Sequence, residues 1–91
     1  MQFLAYVDKA NEFFDKLIET ATDDELFASG YLRGHFDLQV GYAQVEGDDL
    51  SSDELNGKIE KSLVKAYRNG ELTDEDRDHV VAIWEKVKEL V

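Results

Sequence analysis

Residues 23–45, DDELFASGYLRGHFDLQVGYAQV, decide the fold. They hold no proline and no strand-like alternation, and Thr22-Asp23-Asp24-Glu25 immediately before the apolar run has the residues of a capping box. The threonine hydroxyl is placed to take the backbone N–H of Glu25, and the Glu25 side chain to reach back to the N–H of Thr22. A helix therefore starts at Asp23 and is expected to run to about Val45, stopping at Glu46-Gly47-Asp48-Asp49, where glycine permits a left-handed cap and the acids favour a turn.

Inside that helix stand three glycines, Gly30, Gly34 and Gly41. Each costs a helix about 0.5–1 kcal/mol relative to alanine, so their presence needs a physical reason. At 100° per residue they fall within about 40° of one another, forming one bare stripe flanked by Ser29, Arg33 and Asp37 on one side and by Phe27, Leu38 and Val45 on the other. Two readings follow. Either an aromatic ring of the first or fourth helix packs onto the stripe, with Arg33 pairing to Asp37 one turn on, or the stripe is an open groove whose Arg33 rim binds a carboxylate or phosphate.

Working outward, Phe3, Val7, Ala10, Phe14, Leu17 and Ala21 alternate spacings of four and three, with Tyr6, Phe13 and Ile18 widening the stripe, which predicts an amphipathic first helix over about 2–20. Ser51-Ser52-Asp53-Glu54 is a second capping box, with Leu50 and Leu55 placed as a hydrophobic staple. Leu55, Ile59, Leu63, Ala66 and Tyr67 give the third helix its inner face, Lys58, Lys61, Lys65 and Arg68 its solvent face, and Asn69-Gly70 its stop. Thr73 caps a fourth helix whose first turn is Asp74, Glu75 and Asp76, with Val80, Ile83, Trp84, Val87 and Val91 facing inward. The expected fold is all-α, a small four-helix up-down-up-down bundle with a glycine-striped second helix, built as a single helical domain over 1–91. The second helix is apolar on most of its circumference, so it is expected to be central or to lend one face to another chain.

Composition excludes several classes of function. Cysteine is absent from the 91 residues, which removes disulfides, thiolate metal sites and cysteine nucleophiles. The longest apolar run, Phe3 to Val7, is far too short to span a bilayer, and Met1-Gln2 supplies no basic segment ahead of it, so a cytoplasmic protein is expected. The net charge of −11 is concentrated between residues 23 and 50, where seven acids face one base, whereas residues 51–70 hold four bases and three acids. Such a field repels nucleic acid and anionic membrane surfaces and attracts a basic protein partner.

The remaining candidate sites are weaker. Tyr31, His35 and Tyr42 lie roughly opposite the glycines and either stack a planar ligand or form a boundary layer with rings packed and polar tips wet. His79 with Glu75 and Asp76 has helical metal-ligand spacing, but a solvated acidic helix start accounts for it as well. Asp23-Asp24-Glu25 and Asp48-Asp49 lack the spacing of a calcium loop. Ser29 sits in no nucleophile elbow, and no phosphate loop or dinucleotide fingerprint occurs. No catalytic residue, metal or cofactor is expected.

The segment Asp23-Asp24-Glu25-Leu26-Phe27-Ala28-Ser29-Gly30-Tyr31-Leu32-Arg33-Gly34-His35 resembles the signature of the YfcL-like family of small bacterial proteins, with echoes at Ser62-Leu63, Lys65-Ala66, Gly70-Glu71-Leu72 and Trp84-Glu85. The resemblance implies a small cytoplasmic bacterial helical protein of unassigned biochemical function, and it transfers no catalytic residue. Three functional expectations follow, in descending order. The first is a noncatalytic interaction module that binds a protein partner or a second copy (a homodimer) through helix two. The second is a small-ligand or anion-binding domain using Arg33, and the third an acidic mimic of nucleic acid.

Overall fold

The computed structural model describes residues 3–47 and 50–91 and consists of four helices, α1 (Phe3–Thr20), α2 (Asp23–Glu46), α3 (Ser52–Arg68) and α4 (Asp74–Lys88). Both capping boxes form. Thr22 Oγ1 accepts the N–H of Glu25 at 3.2 Å while Glu25 Oε1 accepts the N–H of Thr22 at 3.0 Å, and Ser51 and Glu54 repeat the pattern at α3. Thr73 Oγ1 caps α4 through the N–H of Asp76. Gly47 and Gly70 end α2 and α3 with φ of 69° and 71°, the left-handed conformation that a side chain resists.

Contacts between distant residues fix the topology. Tyr6 near the start of α1 bonds Asn56 near the start of α3, Tyr31 and then His35 along α2 meet Glu71 past the end of α3 and Ser62 within it, Asp24 at the start of α2 lies beside Glu75 and His79 at the start of α4, and Arg33 in the middle of α2 reaches back to Asp15. Successive helices therefore run antiparallel, and α1 and α3 share one direction. This is the up-down-up-down arrangement that the short connections predict.

The core is built from Tyr6, Ala10 and Phe14 of α1, Ala28, Leu32, Phe36 and Val40 of α2, Leu55, Ile59 and Leu63 of α3, and Val80, Ile83, Trp84 and Val87 of α4. Phe36 lies at its centre, edge-on to the rings of Tyr6 and Phe14 at 5.7 and 6.0 Å, a geometry that sets ring edge against ring face. Helix α2 touches all three others and packs most extensively on α4. Two peripheral expectations fail: Ile18 lies on the solvent side of α1, and Val91 lies beyond the end of α4 and is exposed. Ile18 falls about 80° round α1 from the centre of the face that buries Tyr6, Ala10 and Phe14, and Val91 follows the last turn of α4.

Candidate functional site

The inward residues of α2 are Ala28, Ser29, Leu32, Phe36, Val40 and Ala43. On a helical projection the three glycines stand about 160° from the centre of that face, and the structure places them on the outside of the bundle. A Cβ added at Gly30, Gly34 or Gly41 would meet nothing within 4 Å. The expectation that an aromatic of α1 or α4 packs on the stripe is thus wrong. The core takes its rings on the opposite side of α2, through Leu32 and Phe36, and no residue of α1 or α4 reaches over the glycines.

Around the bare strip stand large apolar side chains that no other helix covers. Phe27 and Tyr42 are each 53% exposed, Leu38 49% and Val45 88%, with Leu26 beside them. Exposed acids frame them, Asp23 at one end, Asp37 along one edge and Glu46 at the other end. The result is an apolar face about one helix long, indented at the glycines and rimmed by negative charge.

Arg33 does not serve this face. Its guanidinium points to α1, donating to Asp15 Oδ1 at 2.9 Å and to Asn11 Oδ1 at 3.5 Å, with its carbon 5.6 Å from the centre of the Phe14 ring. Asp37, the partner anticipated one turn on, lies only at the 4.0 Å limit of an ion pair. Ser29, read as a flank of the groove, is buried. Asp15 is the residue the sequence did not reveal, because its pairing depends on the crossing of α1 and α2.

The aromatic cluster divides. Phe27, Tyr31 and His35 form a ladder at successive turns, with centroids 6.4 Å apart for the first pair and 4.9 Å for the second. Tyr31 donates its hydroxyl proton to Glu71 Oε1 at 2.7 Å. Partial burial, with the charge and hydrogen bond of Glu71, pushes the Tyr31 phenol up to about 12. His35 Nδ1 meets Ser62 Oγ of α3. Tyr42, expected opposite the glycines, is instead exposed beside their strip, because the side opposite the glycines is the buried face of α2. Tyr31 and His35 therefore tie α2 to the α3 side of the bundle as a boundary layer, and the three residues do not converge on one ligand.

The Ser62–His35 contact sets a hydroxyl beside an imidazole, which serine nucleophiles require. Both residues lie in mid-helix, where backbone N–H groups are consumed by the helix itself and none is left to stabilise an oxyanion. At the other end of α2, Asp24 joins Glu75 and His79 of α4, with ligand atoms all within 4.8 Å of one another. Asp76 is not part of this group. The juxtaposition arises because α2 and α4 begin at the same end of the bundle, and Asp24 and Glu75 are exposed carboxylates there while His79 is half-buried.

On comparison with known proteins, the family model described as YfcL protein matches residues 4–89. The chain is also similar to the protein of Escherichia coli (strain K12) called uncharacterized protein YfcL, with 45% identity over 74 residues, covering 80% of this chain and 78% of that relative. No solved structure matches. No helix among the described residues is long and apolar enough to cross a membrane.

Proposed function

We propose that this chain, which belongs to the YfcL family, is a noncatalytic cytoplasmic interaction module that receives a protein partner on the outward face of α2. The observation that carries the reading is the pairing of two costs on one surface. Three glycines weaken an exposed helix by roughly 0.5–1 kcal/mol each without admitting any neighbour from within the bundle. Beside them Phe27, Leu38, Tyr42 and Val45 are held in water. Neither arrangement stabilises the free domain, and both favour the close approach of another chain, whose backbone can seat on the glycines while its side chains bury the flanking apolar groups.

The acidic rim of Asp23, Asp37 and Glu46 selects for basic residues around an apolar centre in that partner. An anion-binding role for Arg33 has no comparable support, since Asp15 and Asn11 already occupy the guanidinium.

The experiment compares affinity capture by the natural chain, by Gly34→Leu and by Leu38→Glu, with circular dichroism checking that each variant keeps its helices. Both substitutions lie on the solvent side and should leave the fold intact. Loss of the same captured partner with both variants supports the reading, whereas retention by either folded variant defeats it.

A further inference from the structure

Helix α3 turns Lys58, Lys61, Lys65 and Arg68 to solvent in one strip, on the side away from Leu55, Ile59 and Leu63, in a chain whose net charge is −11. Among the described residues none of the four makes an ion pair within 4.0 Å, whereas Lys16, Arg33 and Lys88 all do. Two acids of the same helix are engaged elsewhere. Glu54, one turn before Lys58, accepts from Ser51 in the capping box, and Glu60 is drawn towards α4 by Trp84 and Lys88.

Part of the strip has a local explanation. Lys65 and Arg68 stand in the last turn of α3, where the helix dipole favours cations. Lys58 and Lys61 precede that turn, and the pairs Lys58–Lys61, Lys61–Lys65 and Lys65–Arg68 set like charges on adjacent turns, which works against an isolated helix. This face therefore holds positive charge that neither the dipole nor a neighbouring acid accounts for. Beside it runs a shallow groove lined by Gly57, Lys61, Val64, Lys65 and Arg68, with Gly57 facing open space and Val64 exposed.

We infer that this face of α3 receives an acidic amphipathic helix of another protein. Along α3 the four charges rise by about 4.5, 6 and 4.5 Å. Acids at three- and four-residue intervals on a second helix repeat that spacing over about 15 Å, whereas side chains on one face of a strand recur every 6.6 Å or about that. An apolar residue between those acids covers Val64, and the bare backbone of Gly57 lets the second helix come close. Other polyanions fit less well. The strip offers no aromatic ring on which bases stack and no bulky apolar side chain to enter a bilayer, and a polyanion longer than the strip runs onto the acidic remainder of the surface. The contact is separate from the α2 face and does not rest on it.

The test is fluorescence anisotropy with a labelled synthetic helical peptide bearing glutamates at three- and four-residue intervals with leucines between them, and with the same peptide carrying glutamine in their place. The natural chain is expected to bind the glutamate peptide at about 0.15 M salt, where the screening length is about 8 Å, to bind it more weakly near 1 M, where that length is about 3 Å, and not to bind the glutamine peptide. Lys61→Glu with Lys65→Glu is expected to weaken binding at least about tenfold. Lys9→Glu with Lys86→Glu changes the net charge equally at exposed positions off the strip and is expected to weaken it less than about threefold. Lys58→Gln with Lys61→Gln, which adds no acid to α3, is expected to lose more than the Lys9 and Lys86 variant does, and circular dichroism checks that each variant keeps its helices. Gly34→Leu is expected to bind the peptide unchanged, which separates failure here from failure of the α2 reading. No binding by the natural chain, equal binding of the two peptides, or equal losses from changes on and off the strip overturns the inference. Tighter binding of a single-stranded oligonucleotide or of phosphatidylserine vesicles that the strip variants lose overturns it too, as does a dimer of the natural chain that the strip variants dissociate, by giving the face to nucleic acid, membrane or a second copy.

Discussion

The guanidinium of Arg33 bonds Asp15 across the α1–α2 contact while lying over the ring of Phe14. One side chain thus joins two helices in two ways, through an exposed ion pair and through the packing of its stem and planar head on a buried aromatic. Exposed ion pairs contribute about 0.2–1 kcal/mol, and cation–π contact by a guanidinium that still reaches water about as much again. Arg33→Ala should therefore cost about 1–2 kcal/mol in urea unfolding and Asp15→Ala less than 1. A double-mutant cycle giving no coupling between the two would refute the pairing.

Alanine at Gly30 or Gly34 should stabilise the domain by about 0.5–1 kcal/mol each, because the added methyl meets open space and the helix gains propensity. Gly70→Ala should do the opposite, by about 1–2 kcal/mol, because its φ of 71° is the left-handed conformation. Denaturant midpoints of the three variants check both signs. A destabilising Gly34→Ala would mean that something does lie across the stripe.

Phe36 is fully buried between Tyr6 and Phe14. Truncating it to alanine removes most of a ring from the centre of the core and should cost about 3–5 kcal/mol. For a domain of this length, whose whole stability is of the order of 5–14 kcal/mol, that leaves little margin. A melting temperature lowered by only a few degrees would show that the core is not closed around this ring.

Burial pushes the Tyr6 phenol from its ordinary 10 up to about 12. The folded state therefore binds this proton more tightly than the unfolded chain does. Stability from this group is fully present below pH 10 and is lost as the pH rises from 10 towards 12. Tyr6→Phe, which also gives up the hydrogen bond to Asn56, should be less stable at pH 7 but lose less between pH 10 and 12. Parallel alkaline slopes for the two proteins would count against the burial of that hydroxyl.

Much of the bundle was legible because helix boundaries rest on local chemistry. Thr22 with Glu25, Ser51 with Glu54, Thr73, Gly47 and Gly70 each act within a few residues of themselves, so their roles follow from adjacent identities. The inward faces of α3 and α4 follow from a single apolar stripe on an otherwise polar helix. Helix α2 defeated that argument: with Phe27, Leu38, Tyr42 and Val45 as apolar as Leu32 and Phe36, periodicity alone does not say which side turns inward. Ser62 beside His35 and Asp24 beside His79 depended wholly on how the helices stack.

The amino-acid order by itself determined the four helices, their ends and their alternating direction, because caps, periodicity and short connections are local and are specified by neighbouring residues. Only the tertiary structure decided that the glycines face water, that Arg33 answers to Asp15, and that Tyr31 and His35 secure α2 to the side of α3. Those outcomes turn on which of two comparably apolar faces of α2 buries more surface against three neighbours at once, a comparison that exists only when all four helices are packed together.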